Sequence, residues 1–317
     1  MKKTSVLAVV GPTASGKSAL ALSVAQALGG EIVCMDSMQV YKEMDIGTAK
    51  PTKEEQALVP HHMLDVVAPW EGYTAADYAQ QAEPVLHAIW ERRKLPILVG
   101  GTGLYLRTLM QGMPLGGVKG DEAVRERLWA IAGGEGGNMR LYTMLEAVDP
   151  QAAARLHPND SRRVIRALEV YEVTQRPMSL QNETVPERPF SFCLIGTAME
   201  REQLYGRIHQ RVDHMLESGL LQEVKGLLHS GVSPDSQAMQ GIGYKELIPV
   251  TEGDLSLEEA VDTLKRNTRR YAKRQGTWFR GEAGIQWVDA LSGDANAQAL
   301  EMAQAFWKAQ GNIEGEN

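Results

Sequence analysis

The stretch VLAVVGPTASGKS, from Val6 to Ser18, decides the fold. Its first five residues form a short, unbroken apolar run rich in β-branched side chains, the mark of a strand covered on both faces. The next eight, Gly11, Pro12, Thr13, Ala14, Ser15, Gly16, Lys17 and Ser18, fit G-x-x-x-x-G-K-[ST] at every fixed position. In such a P-loop the glycines let the backbone curl until successive N–H groups point inward at phosphate oxygens. Lys17 adds a point charge, and the Ser18 hydroxyl suits Mg²⁺. Beyond the loop, Leu20, Val24 and Leu28 recur at helical spacing, and Gly29 and Gly30 stop that helix. Strand before and helix after is the context the loop requires. The loop does not name a reaction, because kinases, GTPases, motors and transferases all use it.

Working outward, Glu31–Met35 reads as a second strand that ends at Asp36. Ala75–Arg92 reads as a helix and Pro96–Val99 as a third strand, opening onto Gly100-Gly101-Thr102-Gly103. This alternation predicts an α/β fold, a doubly wound parallel sheet of the P-loop NTPase-like kind with its ligand at the carboxyl ends of the strands. The pattern changes near Gly112. Residues 121–175 are helical in period, broken at Gly133–Asn138 and His157–Asp160, and a polar loop, Arg176–Pro189, leads back into a strand at Phe192–Gly196. The expected organisation is a core of residues 1–114 and 191–317 with an all-helical insertion domain at 115–190. Glycines at 116, 117, 120, 133, 134, 136 and 137 would permit hinge motion in it. Helices follow at Glu200–Ser218, closed by Gly219, and at Ser256–Gln275, then a strand at Ile285–Val288 and a C-terminal helix.

Composition excludes several classes. The only two cysteines in the sequence, Cys34 and Cys193, lack metal-ligand spacing, so neither a disulfide framework nor a zinc site is expected, and a reducing cytoplasm fits. Lys2 and Lys3 before Val6–Val10 faintly suggest a signal peptide, but the run is too short and enters the loop without a cleavage pattern. No apolar run approaches the roughly 20 residues that span a bilayer, so no membrane partner is expected. The net charge is −7, so a polyanion would have to meet a local basic surface.

Such a surface is present in the pattern. Between Lys265 and Arg280 stand seven basic residues and no acid. Arg266, Arg269, Arg270 and Lys273 share one helix face, apart from a mostly core-directed stripe of Val261, Leu264, Thr268 and Tyr271. Arg162, Arg163 and Arg166 form a second cluster in the insertion. Either could be a solvated helix face; a groove for an RNA backbone, with aromatics for stacking, is the alternative. Asp36 could be a magnesium ligand, a helix N-cap or a general base. Thr102 could be only an N-cap, and Trp278 either core or a stacking platform. His61 and His62 have no third ligand and read as structural histidine rather than a metal pair.

Taken together, the segments GPTASGKS (11–18), DSMQVY (36–41), GTAK (47–50), HHMLD (61–65), GGTGLY (100–105), RRVIRALE (162–169), QGIGYKE (240–246) and KRQGTWFR (273–280) resemble the tRNA dimethylallyltransferase family, in the family's order and over nearly the whole chain. The resemblance implies transfer of a dimethylallyl group from its diphosphate to N6 of adenine at tRNA position 37, next to the anticodon, with the P-loop gripping the leaving diphosphate. It implies Asp36 as the base that accepts the amine proton, with Lys17, the loop amides, Ser18 with Mg²⁺, Thr102 and Arg211 stabilising the leaving group. Arg207, one turn before Arg211, could share that role. The adenine is expected to be flipped into the core. Ser37, Met38 and Gln39, with Asp36, match the segment that grips it.

Contacts to the tRNA anticodon stem-loop are implied for Arg162, Arg163, Val164, Ile165 and Arg166, and for Gln240, Gly241, Ile242, Gly243, Tyr244 and Lys245. The last matching set is Lys273, Arg274, Gln275, Gly276, Thr277, Trp278, Phe279 and Arg280. Gly241 and Met63 depart from common family residues, and no zinc finger follows residue 289, which fits the bacterial form. A monomer is the default expectation. Two other readings remain: a small-molecule kinase with Gly112–Pro189 as a lid, and a non-catalytic RNA binder or nucleotide switch. The basic face counts against the first, and an acid beside an intact P-loop against the second.

Overall fold

The computed structural model describes residues 3–112, 120–182 and 188–310, which form two compact units, Met1–Leu106 with Pro189–Asn317, and Arg107–Arg188. The division falls at 106/107 rather than at 114/115, a boundary that lies outside the described residues. The same holds for the glycines at 116 and 117.

The larger unit is built on six parallel strands in the order β3-β2-β4-β1-β5-β6. These are β1 (Thr4–Val10), β2 (Glu31–Cys34), β3 (His61–His62), β4 (Pro96–Gly100), β5 (Phe190–Ala198) and β6 (Ile285–Asp289). Helix α1 (Lys17–Leu28) follows the P-loop. It starts at Gly16 in the left-handed conformation with no side-chain cap and ends at Gly29, also left-handed. Its buried Leu20, Ala21 and Val24 pack in one core with Leu7, Val9, Ile32 and Ile97 of the sheet. Helices α2 (Lys53–Leu58) and α3 (Ala75–Glu91) each begin with a complete capping box, at Thr52/Glu55 and Thr74/Asp77. Helix α4 (Gly103–Gln111) leaves the end of β4 and carries the chain into the second unit.

That unit contains α5 (Glu122–Ala132), α6 (Gly137–Val148), α7 (Pro150–Ala153) and α8 (Ser161–Thr174) around Leu128, Leu141, Leu145, Val164, Ile165 and Leu168. Fully buried Asp149 joins two parts of it, accepting from the Ala152 and Ser179 amides at 2.9 Å each and from the Ser179 hydroxyl at 2.6 Å. Gly137 is a close-packing glycine: a Cβ there would lie 2.0 Å from the Ile131 carbonyl oxygen.

Back in the larger unit come α9 (Arg201–Glu217), α10 (Leu220–His229), α11 (Ile248–Glu252), α12 (Leu257–Arg280) and α13 (Ala295–Ala309). Three differences from the sequence expectation have local causes. Gly219, at φ 101°, does not close α9; it is the N-cap of α10, an element the pattern did not disclose. Helix α12 runs to Arg280, past Gln275, because buried Gly276 and Phe279 pack inward in its last turns. Two-residue β3 is too short for any periodicity to announce it.

The chain leaves β1, passes beyond β4 to β2, returns to β4, and crosses β1 to reach β5. Ligand crevices in open α/β sheets lie at such a reversal, outside the carboxyl ends of the strands. Here those ends are tightly registered. Cys34 pairs with Val99, Val10 pairs with Gly100, and the Met35 amide donates to the Val99 carbonyl at 2.7 Å. A Cβ on Gly100 would sit 1.8 Å from the Met35 carbonyl oxygen. Gly100→Ala is therefore expected to lower stability by about 1–3 kcal/mol as an overpacking change, read as a lower midpoint in urea unfolding; an unchanged midpoint would show that the ends of β2 and β4 can part freely.

Candidate active site

The P-loop crosses the end of β1 and is braced from β5. Gly11 has no room for a side chain, since a Cβ would fall 2.2 Å from the Thr197 hydroxyl. The Ser15 and Thr197 hydroxyls are 2.5 Å apart, and Ser15 also donates to the Pro12 carbonyl at 2.8 Å. Lys17 reaches back across the loop and donates to the same carbonyl at 3.3 Å. A cleft of about 180 Å³ opens beside it, lined by Ala14, Gly16, Lys17, Ser18, Ala19, Arg207 and Arg211.

Both arginines expected from the sequence are thus on this cleft; Arg207 is exposed and Arg211 half-buried. Neither has a hydrogen-bond partner among the described residues. Burial and, after it, the charge of Arg211 push the Lys17 ammonium down to about 8, while Asp36 opposes the shift. Burial also lowers Arg211, and Asp36 again opposes. Two like charges in a partly dry cleft create a field that favours an anion.

Asp36 stands just past the end of β2. Its Oδ1 accepts from the Met38 amide at 2.9 Å, and Oδ2 has no protein partner among the described residues. The Thr102 hydroxyl accepts from the Ser37 amide at 3.1 Å. Thr102 therefore does not spend its side chain on capping α4, although its carbonyl accepts from Tyr105 at 3.0 Å and Leu106 at 3.4 Å. It fixes the residue next to Asp36. Buried Gln275, from α12, lies behind both loops: Oε1 accepts from the Thr13 amide at 2.8 Å, and Nε2 donates to the Gly101 carbonyl at 2.9 Å. The Tyr271 phenol is pushed up by burial and then by Asp36, while Arg274, Gln275 and Thr102 pull it down.

The loop after Asp36 is held from below. Gln39 Nε2 donates to the carbonyls of Thr48 and Ala49 at 3.1 and 3.0 Å. Lys50, its side chain 4% exposed, bonds the Tyr41 carbonyl at 2.9 Å, Asp45 at 2.5 Å and Asp65 at 2.6 Å. The Glu223 carboxylate accepts from three consecutive amides, Asp45, Ile46 and Gly47, at 2.8 to 3.0 Å, and from the Tyr244 hydroxyl at 2.6 Å.

Comparison with known proteins gives the family. The family described as IPP transferase matches residues 39–282. The tRNA dimethylallyltransferase of Pelotomaculum thermopropionicum is 48% identical over 305 residues, 96% of this chain and 96% of that protein. Its namesake from Geobacter metallireducens is 50% identical over 290 residues, 91% and 93% of the two chains. Among solved structures, the tRNA isopentenylpyrophosphate transferase of Bacillus halodurans superposes with a TM-score of 0.73 at 43% identity, covering 98% of each chain. A eukaryotic dimethylallyltransferase described as acting on tRNA superposes at 0.77 with 31% identity, covering 99% of this chain and 81% of that one.

The chain belongs to the IPP transferase family.

The segments that carry the family resemblance fall into two physical groups. GTAK and HHMLD hold the site from within, through Lys50 and Asp65. His62 binds Glu31 at 2.7 Å beside Arg92 and Lys94, and His61 binds the Val59 carbonyl at 2.8 Å, so both half-buried histidines have structural partners. No cluster of three metal-ligating His, Cys, Asp or Glu side chains occurs among the described residues. Cys34 and Cys193 are buried and free.

The expected RNA-contacting segments are only partly surface. Gln240 and Lys245 are exposed and Ile242 half-buried, whereas Gly241 and Gly243 are buried and Tyr244 is fully so, its ring filling the space above Gly47. A Cβ at Gly241 would lie 2.4 Å from the end of Met38, so these two expected contact residues touch each other. On α12, Lys273, Arg274, Thr277 and Arg280 are exposed, as are Arg266 and Arg270. Gln275, Gly276 and Phe279 are buried, and half-buried Trp278 lies over Gly103.

The run is also less free of acid than it reads. Lys265 pairs with Asp213 of α9 at 2.6 Å, and Arg269 donates to His209 and lies over the Tyr205 ring. In the other unit Arg162 and Arg163 are exposed, Arg163 sits 3.4 Å from Asp160, and Arg166 bonds Glu169 at 2.8 Å. Val164 and Ile165 are buried there. The side chains of Val164, Ile165, Tyr244, Gln275 and Phe279 are buried in the protein interior, so within these segments the exposed positions are the neighbouring polar and cationic ones. Glu223 carries no sequence signal at all, since it lies 176 to 178 residues from the amides it binds.

The Lys17 ammonium is charged below its value of about 8 and loses its proton above it. Affinity for a diphosphate should accordingly weaken as pH passes about 8, with Lys17→Met removing that inflection. Calorimetric titration with inorganic diphosphate on both sides of that pH checks it; an affinity flat through pH 9 would mean that Lys17 does not face the anion.

Proposed function

We propose that this chain is a tRNA-modifying transferase that moves a dimethylallyl group from dimethylallyl diphosphate to N6 of adenine at tRNA position 37 and releases diphosphate. The observation that carries it is the pairing of an unengaged Asp36 oxygen with a cationic P-loop cleft, in a chain whose curated relatives are named for this reaction. The small-molecule kinase and the non-catalytic RNA binder are not what those relatives are named for.

An exocyclic amine is a poor nucleophile until a base takes its proton. In the proposed step the N6 lone pair attacks the first carbon of the dimethylallyl group. The C–N bond forms, the C–O bond to diphosphate breaks, and the N6 proton passes to Asp36 Oδ2. Charge grows on the departing diphosphate, where Lys17, Arg211 and the P-loop amides not already engaged by the protein stabilise it. Thr102 keeps the Ser37 amide, and with it Asp36, in place. Arg207, at the exposed rim, would share the anion.

Mg²⁺ fits the same cleft in a limited way. The exposed Ser18 hydroxyl is on its lining, and an ion of this kind needs only one or two protein oxygens beside substrate phosphate and water. When bound, it would neutralise part of the diphosphate charge.

The adenine has to leave the stack to reach Asp36. Lys273, Arg274, Thr277, Arg280, Gln240, Lys245, Arg162 and Arg163 offer exposed polar or cationic side chains for the anticodon stem-loop, with Ser37, Met38 and Gln39 near the base. No described helix is long and apolar enough to cross a membrane. A monomer acting in the cytoplasm completes the proposal.

Unmodified tRNA incubated with the protein, Mg²⁺ and dimethylallyl diphosphate should gain a dimethylallyl mass on adenosine, read by nucleoside mass spectrometry, and a parallel reaction with ATP should not. Asp36→Ala should lower turnover by about 10²–10⁴-fold, the range of a lost general base, with tRNA affinity retained. Undiminished turnover in that variant would remove Asp36 from the chemistry.

A further inference from the structure

We infer that Gln275 is a positioning residue that ties helix α12 to the donor loop, and that it serves the spacing between diphosphate and base instead of contacting RNA. The inference rests on the transfer reaction proposed above, but not on any assigned role of Gln275 in it.

Gln275 sits within KRQGTWFR, flanked by exposed Lys273, Arg274 and Thr277, yet it is only 6% exposed itself. Both ends of its carboxamide are used. Oε1 takes the Thr13 amide and Nε2 gives its proton to the Gly101 carbonyl, across 262 and 174 residues of chain. A carboxamide is suited to this because it carries an acceptor and a donor at one tip; glutamate of the same length has two acceptors, and leucine has neither.

What it joins matters. Thr13 lies inside the phosphate loop, so one of that loop's amides is committed to a side chain and not to the ligand. Gly101 precedes Thr102, whose hydroxyl holds the Ser37 amide next to Asp36. One side chain thus sets the P-loop against the loop that fixes the base, and with it the distance between leaving group and proton acceptor. The close approach has its own signature, because a Cβ on Gly101 would lie 2.1 Å from Gln275 Nε2. Trp278 presses in the same way on Gly103, where a Cβ would meet its ring at 2.4 Å. The face of α12 opposite its exposed cations is therefore seated directly on the loops that carry the chemistry. Reacting groups need alignment on the ångström scale, and a misplacement of about 1 Å can cost on the order of 10²-fold in rate.

The test compares wild type with Gln275→Leu, Gln275→Glu and Gly101→Ala, measuring kcat, KM for each substrate, tRNA Kd and melting temperature. Gln275→Leu should lose on the order of 10²-fold in kcat and raise KM for dimethylallyl diphosphate, with tRNA Kd unchanged. Gln275→Glu keeps an acceptor for Thr13 but sets a carboxylate against the Gly101 carbonyl, so it should not rescue. Gly101→Ala keeps the glutamine itself but forces its carboxamide away from the Gly101 carbonyl, and it should reproduce the kcat loss. It also decides the matter if the Gln275 variants melt far below wild type.

A rise in tRNA Kd at constant kcat for Gln275→Leu would overturn the inference and make Gln275 an RNA contact. Wild-type values in every variant would overturn it as well. Wild type that transfers no dimethylallyl group would instead sink the proposed reaction.

Discussion

The carboxyl ends of β2 and β4 meet at a contact that only glycine allows, the Met35 carbonyl against Gly100. From that contact the chain turns one way into Asp36 and the other way into Gly101 and Thr102. The Thr102 hydroxyl then bonds back to the Ser37 amide, so two strand ends and two loops become one rigid corner. β1 lies beside β4 in register, Val10 against Gly100, which places the start of the P-loop in the same corner. Asp36 and the P-loop therefore both start from paired strand ends, a more precise support than a loop by itself.

Electrostatics then make the corner selective. The protein is net acidic, yet Lys17, Arg207 and Arg211 line one small cleft. Burial and, after it, repulsion from Arg211 both disfavour charge on Lys17. In the proposed reaction a diphosphate relieves that repulsion on arrival, and the relief grows as charge develops on the leaving group. Asp36 keeps one oxygen free of protein partners among the described residues. A site that gathers positive charge on one side and an open carboxylate on the other suits a reaction that separates an anion from a proton.

Internal anions and amides perform a second task away from the chemistry. Glu223 occupies three consecutive amides of the 45–47 loop as a phosphate would, and buried Lys50 draws together Asp45, Asp65 and the Tyr41 carbonyl. These charge-assisted bonds hold the Ser37–Gln39 segment from behind. They explain why segments that look like substrate contacts, such as Gln240–Lys245, contain fully buried members like Tyr244.

The P-loop, the alternation of strand and helix, the helical character of residues 121–175 and the family itself were legible in the sequence. Each rests on consecutive residues, where backbone geometry and hydrophobic period act locally. The helix α10, the full length of α12 and the two-residue β3 were not, because propensity alone does not set where an element ends. The split within the segments expected to contact RNA was also hidden: Lys273 and Arg274 point out while Gln275 and Phe279 point in, and one-dimensional charge does not say which side of α12 meets the protein interior. Lys17, Asp36, Thr102 and Arg211 could be named from motifs, but that Lys17 and Arg211 sense Asp36, and that Thr102 serves Ser37, depended on the pairing of distant strands. Gln275 joins Thr13 across 262 residues and Glu223 reaches Gly47 across 176. Only the folded chain decides such contacts, since a side chain's role follows from what packing brings to it.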